Sequence, residues 1–195
     1  PTEHILNRYS EINLSQWKLL ELGKLTREEV LVRRYEILFQ EVGMSCDAKK
    51  ISEKYEDFLG EGHYFIPGAK ELLEDLSKKY HLYLASNGAV KVQMSRIQSA
   101  GIEKYLEKIF LSEQIGYEKP SPQFFEKCFA QIPNFKKEEA LILGDSLTSD
   151  IRGGKNAGIL TVWFHPSGKK VEEEIVPDYE IGKLEELKTI LSFYS

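Results

Sequence analysis

Residues 140–160 read ALILGDSLTSDIRGGKNAGIL, two apolar runs separated by Gly-Asp, a second Asp and a pair of glycines. Ala140-Leu141-Ile142-Leu143 is apolar on both sides of the chain, the pattern of a strand covered on both faces. Leu147 to Ala157 has helical character and ends at Gly158, a residue suited to a left-handed helix end. Ile159 to Phe164 is apolar again, so the stretch reads strand–helix–strand, the unit of a parallel sheet.

The same grammar extends outward in both directions. Pro67-Gly68 opens a helix running to about Lys79, and His81 to Ala85 follows as a short strand. Gly88 to Ala100 is helical and closed by Gly101, Ile109-Phe110-Leu111 is a strand, and Ser121 to about Ile132 is a helix. A final helix covers Lys183 to Phe193. Short apolar strands alternating with helices predict an α/β fold, a doubly wound and mostly parallel Rossmann-like sheet. Residues 1–62 are different. Ile5, Tyr9, Ile12 and Leu19 share one helical face, with Gly23 closing that helix. Thr26 and Glu29 form a capping-box pattern ahead of Leu31, Tyr35, Leu38 and Val42. A third helix is expected from near Asp47 to Gly60. The chain therefore divides into a helical region, 1–62, and an α/β region, 63–195.

Composition narrows the class. The 195 residues are 42% hydrophobic and 29% charged, with a formal net charge of -5. Without a dense run of Lys or Arg, a nucleic-acid polymer is not an expected partner, because such binding rests on neutralising phosphates. A small phosphorylated substrate stays open, since a few cations in a cleft outweigh the overall sign. No apolar run approaches bilayer length and no signal peptide is visible, so a membrane is not an expected partner. Cys46 and Cys128 have no metal-ligand spacing and read as reduced packing thiols, which suits a cytoplasmic protein.

In parallel α/β sheets ligands bind beyond the carboxyl ends of the strands, and three polar motifs fall there. Ser86-Asn87-Gly88 follows the strand ending at Ala85. A hydroxyl, an amide and free backbone N–H groups at a helix start make a phosphate cradle, or simply a helix cap. Lys119-Pro120 holds a lysine out of the following helix, free to meet a phosphoryl group or only water. Asp145 and Asp150 bracket the turn after the third strand, and magnesium takes one or two such carboxylates. The alternative makes Asp145 a turn residue and Asp150 an exposed helix residue. Gly153, Gly154 and Gly158 would serve close helix packing.

Taken in order, strand-Ser-Asn-Gly, Lys-Pro and strand-Gly-Asp-x-x-x-x-Asp resemble motifs of the haloacid dehalogenase superfamily. The resemblance runs along the whole chain, with the helical third similar to that family's α-helical cap. Ile12-Asn13, Trp17, Leu22-Gly23-Lys24, Arg33-Arg34-Tyr35 and Gly144 to Gly154 resemble the branch of noncanonical pyrimidine nucleotidases, in which Ser86 replaces a commoner threonine. The resemblance implies a magnesium-dependent phosphomonoester hydrolase acting through an aspartyl-phosphate on a small phosphorylated substrate, a nucleoside 5'-monophosphate. It implies that Ser86, Asn87 and Gly88 hold phosphate, that Lys119 bridges phosphate and nucleophile, and that Asp145 binds magnesium. Asp150 would bind the ion directly, bind it through water, or orient the site. The nucleophile of this family sits in an Asp-x-Asp on the central strand, and no Asp-x-Asp occurs in these residues. It is therefore expected ahead of Pro1, with a gap in the sheet where its strand belongs. Two rivals remain: a metal-free dehalogenase with the same Ser-Asn pair and lysine, and a phosphate- or nucleotide-binding module without turnover. Trp17, Arg33, Arg34 and Tyr35 would line a cleft or, more simply, pack; His63 and His165 read as structural.

Overall fold

The computed structural model describes residues 2–168 and 174–194. The chain divides into two compact units, Pro1–Gly62 and His63–Ser195.

The first unit is helical: α1 Glu3–Glu21, α2 Arg27–Glu41 and α3 Ala48–Glu61. The capping box at the head of α2 forms as its sequence requires. The Thr26 hydroxyl accepts from the Glu29 N–H at 3.3 Å, and the Thr26 N–H donates to the Glu29 carboxylate at 2.7 Å. Ile12, Val30 and Leu38 are buried between the helices. Arg34 and Tyr35 are buried with them, whereas Arg33 is exposed. The Arg34 guanidinium donates to Asn13 Oδ1 at 2.9 Å and Glu56 at 3.2 Å, and lies over the rings of Tyr35 and Tyr55 at 5.1 Å each. A buried cation needs such partners, so this residue fastens the three helices together.

The second unit alternates helix and strand: α4 Ala69–Leu76, β1 Tyr83–Ser86, α5 Val90–Ala100, β2 Lys108–Leu111, α6 Ser112–Ile115, α7 Pro122–Phe129, β3 Leu141–Gly144, α8 Arg152–Ala157, β4 Leu160–Phe164, β5 Tyr179–Ile181 and α9 Leu187–Ser192. Every strand pairing is parallel. Two elements were not expected from the sequence, the three-residue β5 and the single-turn α6. The expected helix from Leu147 begins as a wide π-turn, Leu147–Ile151, before continuing as α8. The first strand lies later than His81–Ala85, so Ser86 is its last residue.

Helices cover both faces of this sheet. Leu141, Leu143, Val162 and Phe164 face α4 and α9 through Leu72, Leu187 and Ile190. Ala140, Ile142, Tyr83 and Ala85 face the other layer, with Phe124, Phe125 and Cys128 of α7 and Ala157 of α8. Gly154 is where α8 touches the sheet: a Cβ there would lie 2.5 Å from Ile142 and 2.7 Å from Thr161.

The sheet is in two pieces, β1-β2 and β3-β4-β5. Leu82 O accepts from Glu107 N and Ala140 O accepts from Leu160 N. Backbone groups alternate sides along a strand, so Tyr83 and Ala85 of β1, and Leu141 and Leu143 of β3, turn their backbone groups away from their paired neighbours. Both strands are only half-buried, whereas β4 is buried over four of its five residues.

Candidate active site

The polar motifs converge at the carboxyl ends of β1 and β3. Ser86 closes β1, and its hydroxyl accepts the Gly88 N–H at 3.0 Å. That contact folds the Ser86-Asn87-Gly88 turn back on itself before α5 begins. Asn87 reaches a different loop. Its Oδ1 accepts the Lys119 N–H and its Nδ2 donates to the Lys119 carbonyl, both at 2.9 Å. One amide thus satisfies both backbone groups of Lys119, and holds the Lys119-Pro120 loop against the end of β1.

Lys119 is buried, and its ammonium has two acceptors: Ala85 O at 2.7 Å and Asp150 Oδ1 at 2.6 Å. Ala85 is a residue whose backbone faces the open side of β1, so the lysine head occupies that edge. An ammonium carries three donors, and no described residue takes the third. Asp150 is also buried, and its second oxygen accepts the Ser146 N–H at 3.1 Å. The wide π-turn aims this side chain back toward β3, and the approach needs Gly144, where a Cβ would stand 2.3 Å from the Asp150 carboxylate. Gly153 is equally constrained, since its Cβ would meet the Phe125 ring at 2.6 Å.

Asp145 differs from Asp150. It is exposed at the end of β3, and no described residue donates a hydrogen bond to its carboxylate. Its main-chain carbonyl accepts the Trp163 indole N–H at 3.0 Å. The structure therefore joins Asn87, Lys119 and Asp150 in one hydrogen-bonded group, with Ser86 and Gly88 in the turn beside it and Asp145 on the adjoining loop. Among the described residues no three His, Cys, Asp or Glu side chains cluster as a ready metal site. The donor set still suits magnesium, a hard ion that commonly takes one or two carboxylates and keeps several waters. Sequence spacing missed Trp163 because an aromatic residue inside an apolar strand looks like packing; only its position beside the Gly-Asp turn hints otherwise.

Cys128 is buried on the inner face of α7, and burial pushes its thiol up to about 12, so it stays protonated and packs as expected. Cys46, expected to pack as well, is exposed in the turn before α3. His63 bonds Ser99, and His165 stacks on Trp163.

The family model for haloacid dehalogenase-like hydrolases matches residues 2–164. The chain belongs to that family. The HAD-hydrolase YfnB of Bacillus subtilis is 41% identical over 98% of the chain and 81% of its own length. Its crystal structure, bound to magnesium and described as revealing interdomain movement, superposes with a TM-score of 0.93 over 98% of this chain and 84% of that one. Pyrimidine 5'-nucleotidase PynA of Streptococcus pneumoniae is 37% identical over 92% of this haloacid dehalogenase-like chain and 76% of its own length. Pyrimidine 5'-nucleotidase YjjG of Escherichia coli is 27% identical over 94% and 80%. The α/β fold with parallel pairing is that of the family, and no described helix is long and apolar enough to cross a membrane.

Proposed function

We propose that the protein is a magnesium-dependent phosphomonoester hydrolase acting on a nucleoside 5'-monophosphate, with pyrimidine nucleotides preferred. The observation that carries this reading is the Lys119 ammonium, fixed between Ala85 O and Asp150 at the carboxyl ends of β1 and β3 with a donor to spare. A buried, fixed cation of this kind offsets charge on a transferring phosphoryl group without having to reorganise. Ser86 and the backbone N–H groups of its turn hold the phosphate, while the Asn87 side chain keeps Lys119 in place. Asp145 is the direct magnesium ligand. Asp150, with both oxygens already engaged, orients Lys119 and would help hold the ion. When bound, magnesium supplies Lewis-acid neutralisation of the phosphoryl oxygens.

The attacking carboxylate belongs, on this reading, to an aspartate on a strand that pairs with the open sides of β1 and β3. It attacks phosphorus to give an aspartyl-phosphate while a second aspartate two residues on protonates the departing nucleoside oxygen, and that aspartate then takes a proton from the water that releases inorganic phosphate. The helical unit Pro1–Gly62 serves as the cap that selects the nucleoside. The names of PynA and YjjG support the pyrimidine preference.

The test is phosphate release by the full protein from a panel of pyrimidine and purine nucleoside 5'-monophosphates, with Mg2+ and with EDTA. Turnover of the pyrimidine nucleotides that EDTA abolishes is the expected result. No release from any phosphomonoester in Mg2+ would overturn the assignment. Halide release from a 2-haloacid without metal would turn it to the dehalogenase reading, and nucleotide binding without turnover to the binding module.

A further inference from the structure

Asp145 has to present its carboxylate in a fixed direction, yet no described residue bonds that carboxylate. The constraint has to come through its main chain. Among the described residues one side chain hydrogen-bonds that main chain, the indole N–H of Trp163 donating to the Asp145 carbonyl at 3.0 Å. The indole is itself immobilised. Trp163 is 8% exposed and packs with Leu147 and Ile151 of the same turn. The imidazole of His165 lies flat against it, centroids 4.0 Å apart and planes 15° from parallel. That imidazole is held at both nitrogens, Nδ1 with Glu180 at 3.0 Å and Nε2 with Ser167 at 2.7 Å. Its backbone N–H donates to Ile181 O at 2.8 Å, so β5 anchors the stack.

We propose that Trp163 is a positioning residue for the metal-binding turn, locking the Asp145 main chain from one side while Asp150 locks it from the other. The two sides are complementary. Asp150 takes the Ser146 N–H at 3.1 Å and Ser146 Oγ takes the Ser149 N–H at 3.1 Å, which fixes the turn after Asp145. Trp163 fixes Asp145 itself. The Glu180–His165–Trp163 stack thus extends the support of the turn out to the edge strand. Partners behind a ligand commonly set metal affinity, and their loss costs tenfold or more. The inference rests on the reading that Asp145 binds Mg2+.

Its test is a calorimetric Mg2+ titration of the full protein and of Trp163→Phe, which keeps an aromatic ring in the cavity but loses the N–H. A Kd raised about tenfold, with the thermal midpoint changed little, is the expected result. A purely structural tryptophan would lower the midpoint and leave the Kd alone, and that outcome overturns the inference while leaving the proposed function intact. No Mg2+ binding by either protein overturns the metal assignment and the positioning role with it. Should Trp163→Phe not fold, His165→Ala keeps the indole but frees it to tilt. The Kd is then expected to rise, and an unchanged Kd counts against the role of Trp163.

Discussion

Burying an ion pair such as Lys119 with Asp150 is costly unless its partners are present. The three partners of Lys119 come from two stretches of the chain: at the end of β1 Asn87 clasps its backbone and Ala85 O takes its ammonium, and Asp150 takes the ammonium from the turn after β3. Replacing Lys119 by Met strands the Asp150 carboxylate and is expected to destabilise the α/β unit by about 3–5 kcal/mol. The double variant Lys119→Met/Asp150→Leu, which removes both charges, should recover most of that loss. Urea denaturation of the two proteins measures it; equal destabilisation would show that the pair is not coupled. This lysine was legible in the sequence because proline fixes the residue before it outside the helix. The role of Asn87 was not legible. A side-chain amide after a strand looks like a ligand group, and only the folded arrangement shows it committed to another loop. Trp163 was hidden for a related reason, since strand periodicity explains its ring and says nothing about its N–H.

At the scale of elements, apolar runs of three residues or more and glycines past helix ends located the principal strands and helices, because burial and left-handed backbone are written locally. What stayed hidden was set by pairing. The strand β5 holds only Tyr179-Glu180-Ile181, and it exists because Asp178 pins its approach to β4. Asp178 Oδ2 accepts from the Thr161 N–H at 2.9 Å and its hydroxyl at 2.7 Å, Oδ1 meets Lys155, and the Asp178 N–H returns to Thr161 Oγ1 at 3.0 Å. Burial raises the pKa of this carboxyl, but Lys155 and Thr161 together bring it below its ordinary value of 3.8. A depressed folded pKa means stability that is present above the unfolded value and lost as pH falls through the folded one. Asp178→Ala is therefore expected to cost about 1–2 kcal/mol at neutral pH, with the cost shrinking as the pH is lowered below about 4. Chemical denaturation at pH 7 and below pH 3 checks this, and a penalty independent of pH would assign the effect to packing alone. The open sides of β1 and β3 belong to the same scale. Pairing edges left unsatisfied away from water are costly, and among the described residues the Lys119 ammonium meets one position on one of them, Ala85 O.

For the whole molecule, the division at Gly62 gives two units with separate cores, one of them carrying the groups assigned to phosphate and metal. A ligand that binds a folded unit stabilises that unit by RT ln(1 + [L]/Kd), about 2.7 kcal/mol at a hundredfold excess over Kd. The chain contains two tryptophans, and they fall one to each unit: Trp17 on α1 and Trp163 on β4. Trp17→Phe leaves Trp163 to report the α/β unit, and subtracting its trace from that of the unaltered protein leaves Trp17 to report the helical one. With Mg2+ and inorganic phosphate in excess, the unfolding transition seen by Trp163 should move to higher denaturant. The transition seen by Trp17 should move much less, because the helical unit owns none of Ser86, Lys119, Asp145 or Asp150. Equal shifts at both tryptophans would mean that the two units unfold as one cooperative body, and the stabilisation would then belong to the whole chain. A shift seen at Trp17 alone would place the ligand in the helical unit, against the site derived from the strand ends.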